Sequence, residues 1–119
     1  AGNVAEYQFS RGGTAVDATN TILANIWTNS NKVIYDANSV ITAAEALNDK
    51  AYASGLIAHA SILKALSIGS MSMLWEKVPA SIGKNVQFID RTAGFAAAIA
   101  TIDNALANSS EIISLFEIW

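Results

Sequence analysis

His59 is the one histidine among the 119 residues, and its surroundings decide which acid–base chemistry the sequence supports. A catalytic histidine needs a nucleophile or an orienting acid at a defined position, and the sequence identifies neither. The ten Asp and Glu residues are dispersed, and none forms the Glu-x-x-His pair used by metal sites in helical bundles. We therefore expect His59 to be a hydrogen-bonded residue of the core or its boundary, and we predict no metal site and no cofactor.

Nucleophile chemistry has equally little support. The chain has no cysteine, which excludes disulfides, thiolate metal sites and cysteine nucleophiles. The serine-rich residues 67–72 lack the Gly-x-Ser-x-Gly context of a nucleophile elbow, and their small side chains suit close helix packing better. Gly12-Gly13 is not followed by the Lys-Ser/Thr pair of a phosphate-binding loop. The sequence therefore predicts a protein that is not an enzyme.

Among the aromatic residues, Trp75 is placed best for binding a ligand. It stands where a long apolar segment gives way to Glu76-Lys77 and a loop with the only proline. An indole beside carboxylate and amide groups can stack on a sugar ring while those groups bind its hydroxyls. Trp75, Glu76 and Asn85 are therefore our candidate glycan contacts. The alternative is that Trp75 packs at the end of a helix, as we expect Trp27 and Tyr35 to pack in the core.

Composition and charge exclude nucleic acid as a partner and favour an exported protein. Apolar residues make up 52% of the chain, and charged residues make up only 14%, against about 25% in an average soluble domain. The seven Lys and Arg are scattered and the net charge is −3. The chain therefore lacks the basic footprint that nucleic-acid binding requires. A surface rich in Asn, Ser and Thr favours an exported protein, although residues 1–11 contain no apolar run of the signal-peptide kind.

The spacing of apolar residues predicts an all-α fold with about four helices. We expect a flexible N-terminal arm over residues 1–13, followed by a helical module over residues 14–119. Apolar residues at three- and four-residue steps place helices at about 17–47, 49–75, 92–107 and 111–119, with a kink near 28–31 and a loop over 80–90. Asp49 suits an N-cap for the second helix, and Asp90 or Thr92 suits one for the third.

The second helix is apolar nearly all the way round, so it should lie between its neighbours. Residues 56–75 have the length of a membrane span, but His59, Lys64 and four serines interrupt them. We interpret this segment as a buried helix, not a membrane-spanning one. The apolar positions of the third helix are Phe95, Ala96, Ile99, Ile102, Ala105 and Leu106. Two consecutive antiparallel hairpins would give a tetratricopeptide-like layout.

Both ends of the chain carry apolar residues that need a partner. Tyr7 and Phe9 alternate with polar residues in the arm, and Ile112, Phe116 and Trp119 belong to a nine-residue tail with six apolar residues. Such a tail either folds back on its own core or packs against another molecule. In the second case the chain would be a structural module that assembles into an oligomer or extracellular filament through these five residues.

Three stretches of the sequence resemble SusD/RagB-type surface glycan-binding proteins of Bacteroidetes. Residues 27–41 read WTNSNKVIYDANSVI and are similar to the family's early helix, in which a tryptophan precedes an aromatic residue and an Ala-Asn-x-[Ile/Val] step. Residues 58–79 read AHASILKALSIGSMSMLWEKVP and resemble its long helix ending in a Gly-Asp-Val-Pro-like turn. Residues 90–106 read DRTAGFAAAIATIDNAL and resemble a helix preceded by arginine. Lys64 stands where the family usually has arginine, and Glu76-Lys77 replaces Gly-Asp.

The resemblance implies a non-catalytic tetratricopeptide-like scaffold that belongs to a larger nutrient-binding protein. It also implies export to the bacterial outer-membrane surface or beyond, oligosaccharide as the ligand, and a TonB-dependent transporter barrel as partner. The lipid-bearing cysteine expected at such a protein's mature N-terminus is missing. No sugar-contacting residue is carried over from the family, because the family's ligand-binding region lies mainly in parts that have no counterpart here.

Overall fold

A computed structural model describes residues 21–107, which form three long helices and one short pair of strands. The helices are α1 (Thr21–Glu45), α2 (Lys50–Leu74) and α3 (Arg91–Ala107), and the strands are β1 (Lys77–Pro79) and β2 (Phe88–Asp90). The predicted all-α class is confirmed. The arm over residues 1–13 and the fourth helix expected over 111–119 lie outside the described residues, as does the start of the first helix.

Helices α2 and α3 begin where the sequence supplies a side-chain acceptor for an unpaired backbone N–H. The Asp49 carboxylate accepts a hydrogen bond from the Tyr52 N–H at 3.1 Å, and the Asp90 carboxylate accepts one from the Ala93 N–H at 2.8 Å. Helix α2 ends at Leu74, and the C-cap Trp75 has an extended backbone, although its N–H still donates to the Met71 carbonyl. The predicted caps at Asp49 and Asp90 are therefore confirmed.

Replacing Asp90 with Ala should lower the free energy of unfolding by about 1 kcal/mol, because the Ala93 N–H loses its acceptor. Asp90→Asn is the matched control, since its amide oxygen can still accept that bond, and it should cost only a few tenths of a kcal/mol. Urea unfolding followed by circular dichroism measures both. Equal losses in the two variants would show that the Asp90 cap does not stabilise α3.

The three helices pack in chain order, with α2 between α1 and α3. Helices α1 and α2 are antiparallel, and the turn between them is only four residues long. Gly94, near the start of α3, lies against Ser72, near the end of α2, so this pair is antiparallel as well. The central position predicted for α2 is confirmed. The kink expected near residues 28–31 is not seen, because α1 is unbroken there.

The interfaces on α2 and α3 are built mainly from small residues. The buried positions of α2 and α3 are, apart from Met71, alanines, serines and one glycine: Ala53, Ser54, Ala60, Ser61, Ala65, Ser72, Gly94, Ala98 and Ala105. A Cβ at Gly94 would overlap the Ser72 hydroxyl and lie 2.8 Å from the Val78 Cγ2 atom. The close contact between α2 and α3 therefore requires glycine at this position.

Of the six apolar positions identified in the third helix, only Ala105 is buried. Phe95, Ile99 and Ile102 are exposed, whereas Gly94, Ala98 and Ala105 face α2. A helix that approaches its neighbour closely can do so only along a line of small side chains. In α3, the small residues at 94, 98, 101 and 105 form such a line. The large apolar side chains lie on the flank of the helix.

The prediction of a loop over residues 80–90 is wrong for its last three residues, which form strand β2. Strands β1 and β2 are antiparallel, with Lys77 opposite Asp90, Val78 opposite Ile89, and Pro79 opposite Phe88. The Ala80 N–H donates to the Gln87 carbonyl at 2.7 Å, and the Arg91 N–H donates to the Glu76 carbonyl at 2.8 Å. These bonds extend the pairing at both ends and hold the start of α3 beside the end of α2.

The largest buried side chains lie where this strand pair meets the helices. Ile34 of α1, Met71 of α2 and Val78 of β1 form the buried cluster. The half-buried residues packed against it are Trp27, Ile68, Trp75, Ile82 and Ile89. The core position predicted for Trp27 is confirmed, but the one predicted for Tyr35 is wrong, because Tyr35 is exposed.

The expectation that α2 is buried all the way round is wrong, because one side of the helix is exposed. His59 is exposed, so its predicted core or boundary position is wrong. Ile62, Leu66 and Met73 are exposed as well. Within residues 21–107, α2 is the one helix long and apolar enough to cross a membrane, a test that core helices of soluble proteins also pass. The absence of a membrane-spanning segment therefore stays a prediction.

Candidate functional site

Three aromatic rings from different elements meet beside the strand pair. Trp27 of α1 and Trp75 at the end of α2 are in edge-to-face contact, with ring centroids 5.0 Å apart and planes at 70°. Phe88 of β2 lies nearly parallel to Trp27, with centroids 6.4 Å apart and planes at 17°. The antiparallel pairing of β1 and β2 brings Phe88 there. Its contact with Trp27 is absent from the sequence-based predictions, because no strand was expected.

The predicted glycan contacts do not share one environment. Trp75 is half-buried against the core cluster, and its carbonyl accepts a hydrogen bond from the Arg91 Nε at 3.4 Å. Glu76 is exposed, next to Trp75 in the chain. Asn85 is exposed in the loop between the strands and has a left-handed backbone, with φ of 58°. Trp75 thus packs at the end of its helix, as the alternative interpretation predicts. The side chains of Glu76 and Asn85 are exposed and accessible to a ligand.

A cleft of about 250 Å³ lies between the start of α1 and the loop that joins the strands. Its lining residues come from α1, β1, β2 and that loop: Trp27, Asn31, Pro79, Ser81, Ile82, Gly83, Val86 and Phe88. The Asn31 amide nitrogen donates to the Trp27 carbonyl at 2.9 Å, so its amide oxygen is left to accept a bond. Phe88 is 57% exposed. A flat apolar ligand face could therefore lie on the Phe88 ring.

A larger groove of about 410 Å³ follows the junction of α1 and α2. Most of its wall is apolar and is formed by Val33, Val40, Leu56 and Leu63. His59 also lines the groove. Its remaining lining residues are Asp36, Ala37 and Ala60. The sequence does not predict this groove, because it depends on how α1 and α2 pack against each other.

One ion pair stands at the edge of this groove. The Lys32 ammonium donates to the Asp36 carboxylate at 2.7 Å, one helical turn away, and both side chains are well exposed. The hydrogen bond to Asp36, helped by charge attraction, raises the pKa of Lys32 above its ordinary value. An exposed pair of this kind adds little to stability, but it gives the groove a polar edge.

Within residues 21–107, no group of three or more His, Asp or Glu side chains is placed to hold a metal ion. Trp75, Glu76 and Asn85 are described, whereas the predicted assembly residues Tyr7, Phe9, Ile112, Phe116 and Trp119 lie outside the described residues.

Searches of family models, curated proteins and solved structures find no match to this chain.

Proposed function

We propose that the chain is the non-catalytic helical scaffold of a SusD-like nutrient-binding protein at the bacterial cell surface, with oligosaccharide as its ligand. The supporting observation is that the three resembling stretches coincide with structural elements. Residues 27–41 lie within α1, residues 58–79 run through α2 and end with β1, and residues 90–106 begin at the Asp90 cap and follow α3. Export and docking to a TonB-dependent transporter barrel belong to this proposal.

The ligand part of the proposal rests on the aromatic end of the molecule. Sugar rings present an apolar face to aromatic side chains and hydroxyls to polar groups. The exposed Phe88 ring supplies the first kind of contact. Glu76 and Asn85 are exposed near the ends of the same strand pair and supply the second kind. We place the ligand on this side of the protein, over the strand pair and the adjoining cleft.

The test is an array of neutral oligosaccharides, followed by titration of the best ligand into variants of the full chain. Glu76→Gln removes the charge, and Asn85→Gly removes the amide while tolerating the left-handed backbone. Each variant should weaken binding about tenfold, the equivalent of one lost hydrogen bond to a charged or buried partner. Asp103→Asn, an exposed change on α3, is the control and should leave the affinity unchanged.

Trp75 is tested by its own substitution. If the indole contacts sugar, Trp75→Phe should weaken binding and remove the fluorescence change that accompanies it, while the ring still packs against Trp27. Unchanged affinity in the Trp75, Glu76 and Asn85 variants would remove all three from the site. A chain that binds no oligosaccharide on the array would contradict the ligand part of the proposal.

Self-assembly is the second candidate function, and the exposed apolar side chains of α2 and α3 favour it. Ile62, Leu66 and Ile99 are between 52% and 63% exposed, and exposed apolar patches mark protein–protein interaction sites. Light scattering over a range of concentrations separates the two functions. A monomer at all concentrations would contradict self-assembly, and growth that stops when residues 112–119 are deleted would support it.

A further inference from the structure

A polar cleft of about 240 Å³ lies where the three helices meet. It is lined by residues of each helix, among them Glu45 of α1, Ser61 and Lys64 of α2, and Thr101 of α3. It shares no lining residue with the cleft at the aromatic end or with the groove between α1 and α2. The glycan proposal therefore gives this cleft no role.

Lys64 is the most unusual residue of the cleft. It is the one Asp, Glu, Lys or Arg of α2 after the first residue of that helix. Its side chain is half-buried, and within residues 21–107 the one ion pair is that of Lys32 and Asp36, so Lys64 has no ionic partner there. Taking an ammonium group partly out of water costs free energy unless an opposite charge compensates it. An anionic group of a ligand would supply that charge.

Ser61 places a hydroxyl beside the Lys64 ammonium. It lies one turn earlier on the same face of α2, and the residue is 4% exposed. Its hydroxyl has no hydrogen-bond partner within residues 21–107. No fully buried polar side-chain atom in that range lacks a partner, so the hydroxyl is reached from the cleft that Ser61 lines. A carboxylate placed there could accept hydrogen bonds from both groups.

Glu45 supplies the opposite charge at the other end of the cleft. Its side chain is exposed and forms no ion pair in the described part of the chain, and the Lys50 ammonium donates to its backbone carbonyl at 3.3 Å. Side chains in a helix lean toward its N-terminus. Because α1 and α2 are antiparallel, Glu45 and Lys64 lean toward each other. The cleft thus presents one negative and one positive group and has no net charge.

The separation of the two charged groups sets the length of a ligand that could contact both. The groove between α1 and α2 is lined by positions from 33 to 40 and from 56 to 63, so antiparallel positions that are level with each other add to about 96. Glu45 is therefore level with about residue 51, roughly 20 Å before Lys64 along α2. The leaning side chains reduce this distance to roughly 10–14 Å. Two hydrogen bonds of about 3 Å leave roughly 4–8 Å for the ligand.

We propose that this cleft binds an aliphatic zwitterion, a small molecule with a carboxylate and an ammonium group at opposite ends of a short alkyl chain. The carboxylate of the ligand contacts the Lys64 ammonium and the Ser61 hydroxyl, and its ammonium group contacts the Glu45 carboxylate. Ile41 and Ile57, which also line the cleft, contact the alkyl chain. This site is independent of the glycan site at the aromatic end.

Simple probes test the proposal on the unchanged full chain, with affinities measured by NMR titration. The tighter of 4-aminobutyrate and 6-aminohexanoate should bind at least about tenfold more tightly than glycine, hexanoate or hexylamine. The charged groups of glycine are too close together to contact both ends, and the other two compounds each lack one charge. An equal affinity for any of these three comparison compounds, or no binding of either zwitterion in the millimolar range, would overturn the proposal.

Exchange of the two charges is the second test. Glu45→Lys and Lys64→Glu each give the cleft two like charges, and each should lower the affinity for the zwitterion at least about tenfold. The double variant again has one charge of each sign. It should recover the original affinity to within about threefold, because a zwitterion can bind in the reverse direction.

Lys77→Glu, an exposed change on β1, is the control for these variants and should leave the affinity unchanged. Circular dichroism checks that all variants keep their helices. A control that weakens binding as much as Lys64→Glu does, or a double variant as weak as the single ones, would contradict a ligand held between Glu45 and Lys64.

Discussion

Replacing Met71 with Ala should destabilise the protein by about 3 kcal/mol, the middle of the range for large-to-small changes at buried sites. Met71 is 1% exposed and packs between Ile34 of α1 and Val78 of β1. Shortening it leaves a cavity where the helices meet the strand pair, and neither neighbour can move to fill it without disturbing its own element. Urea unfolding followed by circular dichroism gives the change in the free energy of unfolding.

The chain provides a matched control for this change. Met73 is its only other methionine, two residues away in the same helix, and it is 69% exposed. Met73→Ala has the same chemistry and the same effect on helix propensity, so it should change stability by less than about 0.5 kcal/mol. Similar losses in the two variants would mean that the junction of helices and strands is not the core of the protein.

Replacing Gly94 with Ala should also destabilise the protein, by about 1–3 kcal/mol, as overpacked sites usually do. The added methyl would overlap the Ser72 hydroxyl, and Ser72 is fully buried with its hydroxyl donating to the Ile68 carbonyl at 2.9 Å. The added Cβ would also lie only 2.8 Å from the Val78 Cγ2 atom. Helices α2 and α3 must therefore separate, even though alanine is the better helix former.

Gly69→Ala is the control for the Gly94 variant. A Cβ at Gly69 would have no neighbouring atom within 4 Å, so alanine there should raise the free energy of unfolding by up to about 1 kcal/mol through helix propensity alone. The two glycine variants should thus change stability in opposite directions. Thermal unfolding measures both, and a stabilising Gly94→Ala would contradict the close contact between α2 and α3.

The helices, and the N-caps of α2 and α3, could be predicted because the signals for them are local. Asp49 and Asp90 can cap only the turn that follows them, and apolar spacing needs no knowledge of the neighbours. The strands could not be predicted, because β1 and β2 have three residues each. Three residues are too few to show alternation, and their pairing depends on α2 and α3 bringing the two segments together.

The sequence also does not reveal which apolar face of a helix is buried. In α3 the large side chains suggest one contact face, but the fold uses Gly94, Ala98 and Ala105 because small residues permit a closer approach. The candidate ligand site was predictable only in part, for the same reason. The sequence shows that an apolar segment gives way to a polar one at Trp75. It does not show that Trp75 and Phe88 contact Trp27, from which they are 48 and 61 residues away. No local pattern encodes such contacts.

The packing of the helices in chain order also bears on how the protein folds. Helix α2 contacts α1 across a four-residue turn, and the strand pair brings the end of α2 and the start of α3 together. Most residue contacts are local ones within the helices, and each helix packs against its neighbour in the chain, which keeps the contact order low. Helical proteins of this kind reach the native state in microseconds to milliseconds, so the protein should refold within milliseconds.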